Sequence, residues 1–129
     1  IDALRSLQPQ LIRLVQFGSN ECIPMRKPPD PSDVALAQAG LERCREAMHG
    51  GKYCIVILDE ICVAIHFGLL TEEELMELVG ERPTGVELIC TGRYATAALI
   101  GAADLVTEMR PIKHPFDDQE LAARDGIER

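Results

Sequence analysis

Apolar residues along this chain follow two alternating rhythms. Short, nearly continuous runs rich in Val, Ile and Leu occur at Leu11 to Phe17, Tyr53 to Leu58, Val86 to Cys90 and Leu105 to Met109, and each predicts a strand. Between them the spacing lengthens to three or four. Val34, Ala37, Leu41, Cys44 and Met48 mark one helix face, opened by an N-cap at Ser32-Asp33 and stopped by Gly50-Gly51. Thr71 followed by Glu74 is a capping box for a second helix carrying Leu75, Leu78 and Val79 inward. An Ala-rich stretch over about 95–102 predicts a third, with Leu99 and Ile100 as its main apolar residues.

The remaining stretches punctuate this pattern. Ile1 to Leu7 suits the tail of an amphipathic helix ended by Pro9. Pro24, Pro28, Pro29 and Pro31 make residues 21–32 a loop or extended segment, because proline lacks the N–H that helices and central strands require. Ile61 to Gly68 reads as a short mixed segment, and 110–116 (RPIKHPF) as a rigid, partly basic loop. Strand and helix in alternation predict a single α/β domain over 1–129, a three-layer parallel sheet with helices on both faces. The unbroken apolar run Tyr53 to Leu58 predicts a strand covered on both of its faces.

Composition narrows the function classes. Thirteen basic residues against twenty-one acidic ones give a net charge of −8 over 129 residues, with no concentrated basic patch, which argues against a nucleic-acid partner. No apolar run approaches the roughly 18 residues of a membrane span, so a soluble protein is expected, and the cysteine usage fits a reducing cytoplasm. The five cysteines, Cys22, Cys44, Cys54, Cys62 and Cys90, contain no C-x-x-C pair and suggest neither a disulfide framework nor a zinc site. Cys54 and Cys90 lie in apolar runs, where a thiol is expected to act as a small core hydrophobe.

The candidate chemistry sits at predicted strand ends. Asp59 and Glu60 follow the run Tyr53 to Leu58, and the carboxyl end of a parallel strand is where ligands bind in open α/β sheets. A carboxylate pair there suits Mg2+ beside phosphates; a solvated strand end is the alternative. Gly18-Ser19-Asn20, Thr91-Gly92-Arg93 and the Lys113-His114 loop are expected along the same edge. Gly92 would let backbone approach a ligand, and Arg93 could clamp a phosphate, although an ordinary turn fits equally well. His49 and His66 have no partners at metal-ligand spacing. No G-x-x-x-x-G-K-[ST] phosphate loop occurs in these residues. Unaided, they support an α/β domain with a phosphate or metal-nucleotide edge.

Longer stretches carry a resemblance. IVILDEI (55–61), RPTGVELICTGR (82–93), AADLVTEMRPIKHPFD (102–117), GIE (126–128) and LVQFGSN (14–20) resemble the corrinoid adenosyltransferases of the cob(I)yrinic acid a,c-diamide type. That resemblance implies a P-loop fold of the RecA type, usually homodimeric, using ATP and Mg2+ in a corrinoid adenosylation reaction. In it the Co(I) of a corrinoid attacks the ribose C5′ of ATP and triphosphate leaves. The resemblance implies that Glu60 coordinates Mg2+ with support from Asp59. It likewise implies that Arg93 and His114 contact the nucleotide, that Thr91 and Gly92 shape the site, and that a flavoprotein reductase is a candidate partner. The family's glycine-rich phosphate loop is expected to precede Ile1, which makes the fold N-terminally incomplete as it stands here. Two alternatives remain: a non-catalytic nucleotide- or corrinoid-binding domain on the same scaffold, and an ordinary P-loop phosphotransferase or ATPase.

Overall fold

The structure, a computed structural model, describes residues 11–18 and 28–113. Six elements follow one another there: α1 (Pro31–His49), β1 (Ile55–Leu58), α2 (Ile61–His66), α3 (Glu72–Gly80), β2 (Glu87–Cys90) and α4 (Ala97–Ala102). β1 and β2 pair in parallel, from Ile55 opposite Glu87 to Leu58 opposite Cys90. A parallel pair needs a crossover, and α2 and α3 supply it.

Helix α1 begins earlier than its Ser32-Asp33 signal predicts. Asp30 is the N-cap, accepting hydrogen bonds from the Ser32 backbone N–H at 2.8 Å and the Ser32 hydroxyl at 2.7 Å. Pro31 occupies the first turn, the one helical place where a missing N–H costs nothing. The same density of prolines that argues against helix thus starts one. Ala37, Leu41, Cys44 and Met48 all face the core, as the helical spacing predicts. The core joins Leu41 and Met48 to Val56 and Leu58 of β1, Ile61 and Cys62 of α2, Leu75 and Leu78 of α3, and Leu70, Val86 and Leu99. Met48, Leu75 and Leu78 are its most completely buried side chains.

The capping box of α3 is realised in both directions. The Glu74 N–H donates to Thr71 Oγ1 at 3.1 Å, and the Thr71 N–H donates to Glu74 Oε2 at 2.8 Å. That backbone donor holds the Glu74 carboxyl below its ordinary range. The contribution is present above the ordinary carboxylate pKa and is lost as pH falls through the lowered value, but exposure keeps it small. Thr71→Ala is expected to cost about 1 kcal/mol, read as a lowered midpoint in denaturant at pH 7 with an unchanged slope. Gln38 on α1 donates to Glu74 at 3.2 Å, and Arg45 on α1 reaches Glu81 at 2.7 Å, which ties α1 to α3 along their exposed edge.

Three expectations change. Residues 11–17 form no strand; Phe17 meets α1, where a methyl group added to Gly40 would sit 3.0 Å from its Cγ. Residues 105–109 form no strand either, with Leu105 84% and Met109 92% exposed. An apolar β-rich run states only a propensity, and a strand exists only where a neighbouring edge accepts its ladder. Among the described residues the ladder is confined to β1 and β2. Burial along β1 also alternates, Val56 and Leu58 inward, Ile55 51% and Ile57 57% exposed outward. Successive side chains leave opposite faces of a strand, and the core packs against the face of Val56 and Leu58. The described residues therefore make a mixed α/β arrangement on a small parallel sheet, covered on one face.

Cys54 is exposed, contrary to expectation, because it stands at the entrance of β1 where only its carbonyl is engaged, by the Glu87 N–H at 2.8 Å. Cys90 does pack against the core, and burial, reinforced by Cys62 and Cys44, pushes its thiol up to about 11. It remains neutral at physiological pH and is no candidate nucleophile. No helix among the described residues is long and apolar enough to cross a membrane.

Candidate functional site

The carboxyl ends of β1 and β2 lie side by side, because Leu58 pairs with Cys90. The next residues on each strand, Asp59-Glu60 and Thr91-Gly92-Arg93, are thereby brought together, as the sequence predicts. His114 and residues 19–20 lie outside the described residues, so their expected places on this edge are not among them. Lys113 is exposed.

Thr91 fastens the two loops. Its N–H donates to the Leu58 carbonyl at 3.1 Å, extending the ladder by one bond, and its own carbonyl accepts from the Cys62 N–H at 3.2 Å. Its hydroxyl donates to Asp59 Oδ1 at 2.7 Å and accepts from the Glu60 N–H at 2.9 Å. One side chain thus satisfies the donor at the start of α2 and aims one carboxylate. The family resemblance implies only that Thr91 shapes the site; this double bridge depends on strand register and has no local signal.

Glu60 is the N-cap of α2, yet its side chain makes no capping hydrogen bond. It adopts a left-handed conformation, φ 60° and ψ 24°. For a residue with a Cβ that conformation is uncommon and costs on the order of 1 kcal/mol or more, so it persists only where neighbours over-determine it. Here the Thr91 hydroxyl holds the Glu60 N–H, and the Val63 and Ala64 N–H groups donate to the Glu60 carbonyl at 3.0 and 3.1 Å. The strain leaves the Glu60 carboxylate exposed beside Asp59 instead of turned back onto the helix end.

Gly92 is required at its position for two reasons. Its φ of +122° is a region L side chains rarely adopt, and an added Cβ would sit 3.2 Å from Cys62 Cβ, 3.3 Å from Glu60 Cα and 3.3 Å from Glu60 Oε2. The backbone at Gly92 consequently lies against Glu60. Arg93 follows, exposed at the same rim. Tyr94 is the second non-glycine residue with positive φ among the described residues, at 70°. Its ring stacks on His66 at the end of α2, with centroids 3.9 Å apart and planes 20° apart, and His66 meets Phe67 edge-on at 5.2 Å. Neither aromatic stands out in the sequence, where His66 reads as an isolated histidine. The segment holding it, predicted as mixed, is the helix α2.

Among the described residues no three Cys, His, Asp or Glu side chains converge as a metal cage. The edge offers two adjacent carboxylates, an arginine and a glycine-lined approach: a place for a hydrated cation and an anionic group.

Comparison with known proteins assigns the family. The family profile described as ATP:corrinoid adenosyltransferase BtuR/CobO/CobP matches residues 1–129. A corrinoid adenosyltransferase of Sinorhizobium sp. is 38% identical over 97 residues, covering 74% of this chain and 45% of the relative. A corrinoid adenosyltransferase of Salmonella typhimurium is 36% identical over 97 residues, covering 75% of this chain and 49% of its own length. An uncharacterised protein of Nostoc sp. is 35% identical over 133 aligned positions, 99% of this chain and 33% of the relative. The chain spans about half the length of the two named adenosyltransferases. With the family profile matched over residues 1–129 and named relatives 36–38% identical over three quarters of its length, the chain belongs to the ATP:corrinoid adenosyltransferase family BtuR/CobO/CobP.

Proposed function

We propose that the protein of which these residues form part transfers the 5′-deoxyadenosyl group of ATP to the Co(I) of a corrinoid. The bond from C5′ to its oxygen breaks, the oxygen leaves with its electron pair as triphosphate, and two electrons from cobalt form the new cobalt–carbon bond. The observation that carries this proposal is the joined edge, in which one Thr91 hydroxyl ties Asp59 to the backbone of Glu60 while Gly92 lies against the Glu60 carboxylate.

Each residue has a task that its geometry supports. Two exposed carboxylates suit Mg2+, a cation that keeps several waters and takes its other ligands from phosphates, without an all-protein cage. Glu60 would hold it and Asp59 would support it, with one Asp59 oxygen engaged by Thr91. When bound there, Mg2+ supplies charge that neutralises the leaving triphosphate. Arg93 adds a fixed positive charge at the same rim, and His114, which lies outside the described residues, would contact the nucleotide on the family resemblance alone. Thr91 keeps the two loops in register, and Gly92 leaves room beside Glu60 for the phosphates.

In the whole protein we place this unit, 1–129, within a three-layer P-loop fold of the RecA type, acting as a cytoplasmic homodimer supplied with electrons by a flavoprotein reductase. The exposed outer face of β1 is consistent with a second covering layer. The test is to incubate the full-length protein with ATP, Mg2+ and a chemically reduced corrinoid. A changed corrinoid absorption spectrum with release of triphosphate is expected. An unchanged spectrum sinks the proposal, and ligand affinity without product would favour the non-catalytic binding domain.

A further inference from the structure

Two non-glycine residues among the described ones carry positive φ, and both belong to the loops at the strand ends. Glu60 has a use there. Tyr94 calls for one as well, because a bulky residue in the left-handed region is an outlier that its surroundings must hold in place. The ring is not strained in order to enter the core, since Tyr94 remains 55% exposed. Its stack on His66, 3.9 Å between centroids, leaves an aromatic plane standing at the surface and braced from behind. Phe67 closes against His66 edge-on and completes the brace.

The location of this plane gives it a ligand. His66 ends the six-residue helix that Glu60 begins, a separation of about 9 Å at the rise of an α-helix. Tyr94 stands two residues after Gly92, so its Cα lies at most about 7 Å from the glycine that touches Glu60. A planar aromatic surface is thus set about one nucleotide's length from the carboxylates, carried by the end of α2 and by the loop after β2 that forms the phosphate edge. We infer that the His66–Tyr94 stack is a shelf for the purine base of the bound nucleotide, with Tyr94 as the stacking residue and His66 as its positioning residue. The inference rests on the nucleotide site proposed above and adds to it the residues that recognise the base.

The phosphates and the base can be tested separately. ATP and inorganic triphosphate are titrated calorimetrically, with Mg2+, into the full-length protein and its Tyr94→Gly variant. Glycine is the residue most at ease at φ 70°, so the variant should fold at least as stably as the parent, which a melting curve checks. ATP affinity is expected to fall about tenfold or more, the scale of one base–aromatic stack, while triphosphate affinity stays unchanged. Tyr94→Phe, which keeps the ring, should restore the affinity that glycine loses. An unaltered ATP affinity in Tyr94→Gly, or an equal loss for both ligands, overturns the shelf while leaving the phosphate site standing. Failure of the parent protein to bind either ligand overturns the phosphate site, and the shelf falls with it.

Discussion

Glu60→Gln is expected to abolish Mg2+-dependent adenosyl transfer in the full-length protein while leaving its melting temperature within a few degrees of the parent. The substitution removes a charge and almost no volume. The Glu60 side chain is exposed and makes no capping bond, so folding does not depend on its carboxylate. The backbone features that hold residue 60 are indifferent to the change: its N–H still meets Thr91 Oγ1, and its left-handed φ costs glutamine what it costs glutamate. In the proposed reaction, what is lost is the anionic partner for Mg2+, which would help to stabilise the triphosphate leaving group. Transfer rates and melting curves on the same preparations decide the matter. Retained activity would remove Glu60 from the metal site, and a large drop in stability would make it a structural residue.

Gly92→Ala should damage folding and transfer together. The alanine must adopt a φ of +122°, and its Cβ must displace Cys62 Cβ, Glu60 Cα and the Glu60 carboxylate, all at 3.2–3.3 Å. Strain of this kind costs roughly 1–3 kcal/mol, which lowers the melting temperature by several degrees. Because the atoms that must give way, by a few tenths of an ångström, include the Glu60 carboxylate, transfer is expected to fall further than the loss of stability alone predicts. Gly101→Ala is the control. It lies in helix α4 with nothing within 4 Å of an added Cβ, so it should be neutral or stabilising by up to about 1 kcal/mol. Equal effects at the two glycines would mean that Gly92 has no special place beside the site.

The amino acids announce the helices and the acidic strand end well, because their signals are local. The capping box at Thr71, the helical spacing from Ala37 to Met48 and the acids after Leu58 each depend on neighbours a few residues away, and each appears in the structure. Residues 11–17 and 105–109 misled, because whether an apolar run becomes a strand is settled by the edge it meets and not by its own residues. β1 misled more subtly: Ile55 and Ile57 carry the composition of a doubly covered strand, while the core lies on the other side. At the site, Asp59, Glu60, Gly92 and Arg93 were visible as residue types at strand ends. The left-handed Glu60 and the Tyr94–His66 stack were not, since strain and stacking arise from distant segments meeting.

Thr91 has a consequence for how this edge can vary. Its four hydrogen bonds run to Leu58, Asp59, Glu60 and Cys62, so a single residue of one loop determines four consecutive or near-consecutive positions of the other. A substitution that removes the Asp59 carboxylate or the Thr91 hydroxyl leaves water to meet the exposed partner and uncouples the two loops. The two loops therefore behave as one unit: changes at Thr91 and at Asp59 should be non-additive, a coupling that a double-mutant cycle on stability would read.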